Sequence, residues 1–233
     1  MISPGKLLLT FPLLALAAPQ VQSAVLLTSP GGVANESTVV ISSVGAIVRN
    51  GASSDTVYFR YTVTNPASGG LVAENSFAAF ELQNGGSSTV GVGNNWGAWA
   101  YSVFGNTGDA DLKSSNPEPA VIYQLIRSTD VTTIAFSVAY NPSGADTITL
   151  WLNPDFGTTA AAQTANRTTT FTGDFSFTSL QLREGGAGNG WNFGDIQVAT
   201  TPVEIGFVPE PSAAAFLLTA AFAMSRRRRT SAQ

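Results

Sequence analysis

The 233-residue chain contains no histidine and no cysteine. Those absences exclude Ser-His-Asp and Cys-His nucleophilic catalysis, and zinc sites built on imidazole or thiolate. The groups left for chemistry are carboxylates, carboxamides and aromatic rings. They allow paired-carboxylate glycoside hydrolysis, oxygen-ligand calcium binding, or no reaction at all. In GNTGDADLKSSNPEP, Asp109 and Asp111 form an acidic pair separated by one small residue. The surroundings read as a loop, so the plain reading is a solvated turn whose aspartates accept hydrogen bonds from nearby amides. The chemical alternative is calcium, for which backbone carbonyls and water must complete roughly six to eight oxygens. Glycosidases of the strand-borne kind place acidic residues at alternate positions facing the sugar. No Glu-x-Asp-x-Glu occurs here, and glycoside hydrolysis is the third-ranked function.

Aromatic residues interleaved with amides point to sugar recognition, because rings stack on apolar sugar faces while amides meet hydroxyls. VGVGNNWGAWAYSVFG supplies both in Asn94, Asn95, Trp96, Trp99 and Tyr101. Alternation puts Trp99, Tyr101 and Val103 on one face, with a core reading, and Trp96 on the other, capping an edge. Trp151, in DTITLWLNPD, lies opposite Ile148, Leu150 and Leu152 and is flanked by Thr149 and Asn153. It is expected to be exposed on the second face of its sheet. Asn95, Trp96 and Trp151 are therefore the glycan-binding candidates, and Trp191 is expected to close over the core.

The elements that must position these residues are strands. Hydrophobic residues make up 44% of the chain and charged ones 11%. Short alternating runs recur between turn clusters, with no helix-period stripe of useful length, so the fold class is all-β, an antiparallel β-sandwich. DTVYFRYTVT (55–64) alternates Val57, Phe59, Tyr61 and Val63 with Thr56, Tyr58, Arg60 and Thr62. VTTIAFSVAYNPSGADTITLWLNPD (131–155) holds two such runs around Asn141-Pro142-Ser143-Gly144 and predicts a hairpin. FSFTSLQLREGGAGNGWNFGDIQV (175–198) predicts a second hairpin through its glycine-rich centre. Parity slips inside both of its strands, from Phe175 and Phe177 to Leu180 and Leu182, and from Trp191 and Phe193 to Ile196 and Val198. A β-bulge is expected near Thr178-Ser179 and another near Gly194-Asp195.

The two ends read as targeting segments. Met1 to Lys6, then the apolar Leu7 to Ala18, then the small-residue exit to Ala24 have the pattern of a secretory signal, expected as an N-terminal signal helix. An exported chain without cysteine relies on packing rather than disulfides. The C-terminus runs VPEPSAAAFLLTAAFAMSRRRRTSAQ, in which Ser212 to Ser225 spans 14 residues. As a helix this covers roughly 21 Å, against a hydrocarbon core of roughly 30 Å. It is a short membrane segment with Arg226, Arg227, Arg228 and Arg229 on its cytoplasmic side. Without both ends, residues 24–208 hold six cations against fourteen anions, a net charge of −8. Such a surface repels nucleic acid, which needs clustered Lys and Arg. The expected division is 1–24 signal peptide, 25–205 β-sandwich and 206–233 sorting or anchor segment.

Pro209, Glu210 and Pro211, followed by the apolar run and the arginine cluster, closely resemble the tripartite PEP-CTERM sorting signal. The resemblance implies that a membrane-embedded exosortase recognises the Pro-Glu-Pro region and removes the tail. The protein would then reach the outer surface or matrix, often alongside exopolysaccharide production. A plain C-terminal membrane helix with a stop-transfer cluster is the competing reading. From roughly Ser76 to Thr200, the order DTITLWLNPD, FSFTSLQLREGG, WNFGDIQV resembles the C-terminal strands of laminin-G-like, concanavalin A-like jelly rolls. That likeness implies a jelly-roll sandwich. The expected function is an exported, non-enzymatic surface or matrix protein with weak glycan binding, with a ligand-free structural envelope protein as the alternative. No cofactor is expected beyond the calcium alternative.

Overall fold

Strict alternation commits a strand to one buried face, and β3 (Thr56–Thr64) keeps it over its whole length, every second residue buried from Val57 to Val63. The computed structural model describes residues 25–34, 39–41, 55–64, 76–84, 87–94, 101–105, 131–144, 146–165, 167–171, 177, 179–186 and 191–210. Residues 1–24 and the tail from Pro211 onward, including Arg226 to Arg229, lie outside them. So do both terminal helices expected there.

The remaining strands are β1 (Val25–Ala34), β2 (Val39–Ile41), β4 (Ser76–Asn84), β5 (Ser87–Asn94), β6 (Tyr101–Gly105), β7 (Val131–Ala139), β8 (Asp146–Leu152), β9 (Arg167–Phe171), β10 (Ser179–Gly186) and β11 (Trp191–Ala199). They form two antiparallel sheets, a six-stranded one in the order β1-β11-β3-β7-β8-β9 and a five-stranded one in the order β2-β10-β4-β5-β6. This is the antiparallel β-sandwich that the alternation predicts.

The hairpin over 131–155 forms as expected, with Ile134 opposite Leu152, Phe136 opposite Leu150 and Val138 opposite Ile148. Its turn is held by the Asn141 side chain, which accepts from the Ser143 amide, and by Asp146 Oδ1, which accepts from the Asn141 amide at 2.8 Å. The second expected hairpin does not form. β10 pairs with β2 and β4, whereas β11 pairs with β1 and β3 in the other sheet. The glycine-rich connection carries the chain across the sandwich, and the crossing is bridged where the Trp191 amide donates to Glu184 Oε2 at 2.8 Å. Two alternating strands joined by a glycine-rich sequence are compatible with either outcome; the burial of both inward faces against each other selects the crossing.

The bulge near Gly194-Asp195 is present. Pairing with β3 shifts by one residue between Gly194 and Gln197, and Asp195 takes a positive φ of 48°. Opposite it in β1, Gly31 has φ +79°, and a Cβ there would stand 2.0 Å from the Phe193 carbonyl oxygen. Only glycine fits so close a backbone approach. The other parity change falls between Phe177, an isolated bridge, and the regular start of β10 at Ser179, and it leaves Phe177, Leu180 and Leu182 all buried. Thr178 lies outside the described residues.

Aromatic side chains fill the interior. Phe59 stacks on Phe136 at 4.3 Å and 3°, Phe80 meets both edge-on, and Tyr61 stacks on Phe80 at 5.2 Å. Each such pair adds about 0.5–1.5 kcal/mol beyond its area burial. The Tyr61 hydroxyl donates to the Val92 carbonyl at 2.6 Å, tying the six-stranded sheet to the five-stranded one. Burial, and then neighbouring Tyr101, hold the Tyr61 hydroxyl well above the ordinary tyrosine range. Tyr101 and Trp191 are fully buried in the same core. This matches the core reading of Tyr101 and the closing role expected of Trp191.

Candidate functional site

Each sheet of a sandwich has an outer face, and ligand chemistry must be sought on one of the two. On the six-stranded sheet, register places Gln197, Arg60, Ala135 and Trp151 in one row across β11, β3, β7 and β8. Trp151 is on this second face, as alternation requires, but it is only 7% exposed. The expectation of an open Trp151 is corrected: the ring is covered by the segment that follows β8 and by residues after β11. Phe207 packs against it edge-on at 5.7 Å, and Phe156 packs on Phe207 at 5.0 Å. Ala135, Ala199 and Ile205 complete this second apolar cluster. Because alanines occupy the sheet positions, the covering chain can lie close to the backbone.

That cover has two parts. In residues 153–165, the Asp155 side chain accepts from the Gly157 amide and the Gln163 side chain bonds the Asp155 backbone, which closes a compact loop. The second part is the chain after β11, a 3-10 turn at Pro202–Ile205 followed by Gly206 at φ +112°. The Arg60 guanidinium lies 4.6 Å from the Phe156 ring centre and donates to the Ile205 carbonyl at 3.3 Å. The Val208 amide donates to the Thr158 carbonyl at 3.0 Å. Packing thus continues three residues past the 205 boundary read from the sequence. Pro209 and Glu210 follow at once and are exposed. Burial raises the Tyr58 hydroxyl above its ordinary range, and the nearby Glu210 carboxylate adds to the rise.

The outer face of the five-stranded sheet has the opposite character. In β4, Ala78, Phe80 and Leu82 point inward, so Ala79, Glu81 and Gln83 belong to the outer row. Gln181 stands opposite Glu81, Arg183 opposite Ala79 and Ser179 opposite Gln83. On the other side, Gly91 stands opposite Glu81 and Gly93 opposite Ala79, so β5 contributes bare backbone to this face. Glu81 is 2% exposed, and Gln83 and Gln181 are also buried. Arg183 Nη1 reaches Glu81 Oε1 at 3.4 Å and remains 48% exposed. The result is a row of carboxylate, carboxamide and guanidinium groups beside a glycine strip, with one cation presented outward. Among the described residues, Glu81 is the one carboxylate of this face, since Glu184 takes the inward parity of β10.

The other candidates from the sequence, Asn95, Trp96, Asp109, Asp111 and Pro211, lie outside the described residues. β5 ends at Asn94, so Asn95 and Trp96 follow directly in the chain. Among the described residues no group of three or more acidic side chains is arranged to hold a metal ion. Glu81, Gln83, Gln181 and Arg183 were not singled out from the sequence, although the alternation in SFAAFELQN and SLQLREGG carries the signal.

No protein family matches the sequence, and no curated protein is significantly similar to it. Among solved structures, the chain is similar to an endo-beta-1,4-glucuronan lyase from the fungus Trichoderma reesei, at 8% identity over 80% of this chain and 90% of that one, with a TM-score of 0.39. It is also similar to the carbohydrate recognition domain of Emp46p in its metal-free form, at 13% identity over 75% and 88%, with a TM-score of 0.35. A third similarity is to alginate lyase vAL-1 from Chlorella virus, at 10% identity over 77% and 89%, with a TM-score of 0.34.

Proposed function

We propose that the chain is an exported, non-enzymatic surface or matrix protein that binds a glycan on the outer face of its five-stranded sheet. The observation that carries this reading is the in-register row of Gln181, Glu81 and Gly91, with Arg183 and Gln83 beside it. Carboxylate, carboxamide and guanidinium groups are acceptors and donors of the kind that meet vicinal hydroxyls, and Arg183, half exposed beside the buried Glu81, is the member of the row that solvent reaches. Among the described residues Glu81 is the one carboxylate of this face, and it is engaged by Arg183. Export, exosortase processing and delivery to the envelope are supported by the signal-like N-terminus and by Pro209, Glu210, Pro211 and Arg226 to Arg229. A transient membrane association through the tail and a place beside exopolysaccharide belong to the same reading.

Binding to a glycan array tests it, using the protein and its Arg183→Ala and Gln181→Ala variants, with calcium and with chelator. The expected result is binding by the parent protein that both substitutions weaken at least fivefold. Uniform silence overturns the glycan reading, and release of reducing or unsaturated sugar ends from a bound glycan overturns the non-enzymatic one. Binding that is lost in chelator assigns calcium, with Asp109 and Asp111 as its first candidates.

A further inference from the structure

The arm Pro202–Val208 folds back over the sheet that delivers it. β11 ends at Ala199, and the arm then lays Ile205 and Phe207 on the outer face of the same sheet, in a cluster separate from the main core. The receptor for the arm is built by other parts of the chain. Phe207 packs on Trp151 and Phe156, the Arg60 guanidinium donates to the Ile205 carbonyl, and the Thr158 carbonyl accepts from the Val208 amide. None of these contacts requires arm and receptor to belong to one copy. The identical arm of a second copy makes the same set.

Hinge and surroundings both favour exchange. Only Thr200 and Thr201 separate β11 from the arm. A proline disfavours helical backbone in the residue before it, and Thr201 is extended, at φ −132° and ψ 152°. The reversal of direction therefore falls on Thr200 and the 3-10 turn itself, and so short a hinge is the kind that exchange between copies relieves. The exposed large apolar side chains among the described residues are Val25, Val131, Val203 and Val208. Val203 and Val208 are on the arm, and Val25 stands opposite Ala199 at the hinge. Three of these four valines thus gather where two crossing hinges would meet and cover them. We infer that Pro202–Val208 is an exchangeable arm through which two copies of the chain form a symmetric dimer, each arm seated on Trp151, Phe156 and Arg60 of the other copy.

Opening leaves the interior between the sheets intact, because the aromatic core of Phe59, Phe80 and Phe136 does not include the arm. Trp151 Nε1 and Arg60 Nε are buried without a hydrogen-bond partner when the arm is seated, and both regain water while it is lifted. Local opening of this kind is the ordinary low-energy motion of a terminal element. Once exchanged, the pair keeps every contact of the closed arm. Its stability relative to two single copies is set by the relieved hinges and the covered valines against the cost of association. The exchange depends on neither export nor glycan binding.

The chain has no cysteine, which makes disulfide trapping a clean reporter. A full-length Thr158→Cys chain is mixed with a full-length Val208→Cys chain and oxidised. Neither chain can close that bond within one copy, so a covalent pair mapped to positions 158 and 208, in excess over 158–158 and 208–208 pairs, reports an arm seated in trans. Adding Phe207→Ala to the Val208→Cys chain should abolish that excess. Sedimentation of the parent chain should show a dimer whose share rises with concentration. Pro202→Ala frees Thr201 to share the reversal and should lower the association constant by about two- to fivefold per hinge. A parent chain that is monomeric at every concentration, a dimer unaffected by both Phe207→Ala and Pro202→Ala, or 158–208 pairs no more abundant than the same-position pairs overturns the exchange.

Discussion

The two outer faces of the sandwich are built on the same alternation and end differently. On the six-stranded sheet the outer face carries Ala135 and Trp151, and the loop after β8 and the chain after β11 cover them to form a second apolar cluster. On the five-stranded sheet the outer face carries Glu81 and Gln181, with Gly91 beside them. Outward-facing positions are thus filled by what must be covered on one side and by what can hydrogen-bond on the other. Both faces are closed to solvent at these residues, Trp151 at 7% and Glu81 at 2% exposure, so they differ there in the chemistry that is covered and not in exposure. Parity settles only which face a strand residue occupies.

The largest expected break in this comparison comes from Ala135→Leu. Ala135 is fully buried under the covered face, and added methylenes in a packed site cost about 1–3 kcal/mol. The urea midpoint should fall accordingly, and amide exchange of Phe207 and Val208 should rise while the register of β4 with β10 persists. Loss of structure in both sheets together would show that the cover is part of one cooperative core.

Alkaline pH probes the interior that both faces share. An unfolded tyrosine loses its proton near pH 10, whereas folded Tyr61 is held well above that by burial and by Tyr101. Between those two values the folded chain keeps a proton that the unfolded chain releases, so stability falls as pH rises. That contribution is fully present below about pH 9 and is lost progressively as pH rises past 10. Half-buried Tyr58, raised by burial and by Glu210, adds to the loss in the same direction. Tyr61→Phe should remove most of the slope, at the cost of about 1 kcal/mol at neutral pH for its hydrogen bond to Val92. Urea titrations at pH 8, 10 and 11 read both effects. An unchanged slope in the variant would assign the alkaline loss to groups other than Tyr61.

These contrasts also mark how much was legible in the residues themselves. Period-two alternation located β3, β7 and β8 and the inward face of each, and the slip from Phe193 to Ile196 located the bulge at Asp195. These features are written locally. The partner of β10 was not, because REGGAGNG serves a hairpin and a sheet crossing equally well. The burial of Trp151 is non-local for a related reason: Phe207 reaches it from beyond three further strands. The overlooked signal was PVEIGF, two large apolar residues that needed a surface to cover, together with small Ala135 and Ala199 on the outward parity of their strands. Glu81 and Arg183 were equally visible by parity. They were passed over because attention to adjacent acidic pairs and tryptophans favours chemistry gathered in sequence, whereas a sheet gathers it across strands.

The smallest effect should come from the polar face itself. Arg183 meets Glu81 at 3.4 Å with the guanidinium half exposed, a geometry in which an ion pair contributes about 0.2–1 kcal/mol. Arg183→Met keeps the aliphatic stem and removes the charge, so urea denaturation should shift by no more than that amount. The Phe207 and Val208 amides on the opposite face should exchange as in the parent, since Arg183 and Trp151 stand in different sheets of the sandwich. A stability loss of several kcal/mol would mean that the pair holds the sheet together. A small loss joined to weakened glycan binding would mean that the outward guanidinium serves a ligand. On that outcome the two faces divide their work, one closing the fold and the other leaving its polar groups to recognition.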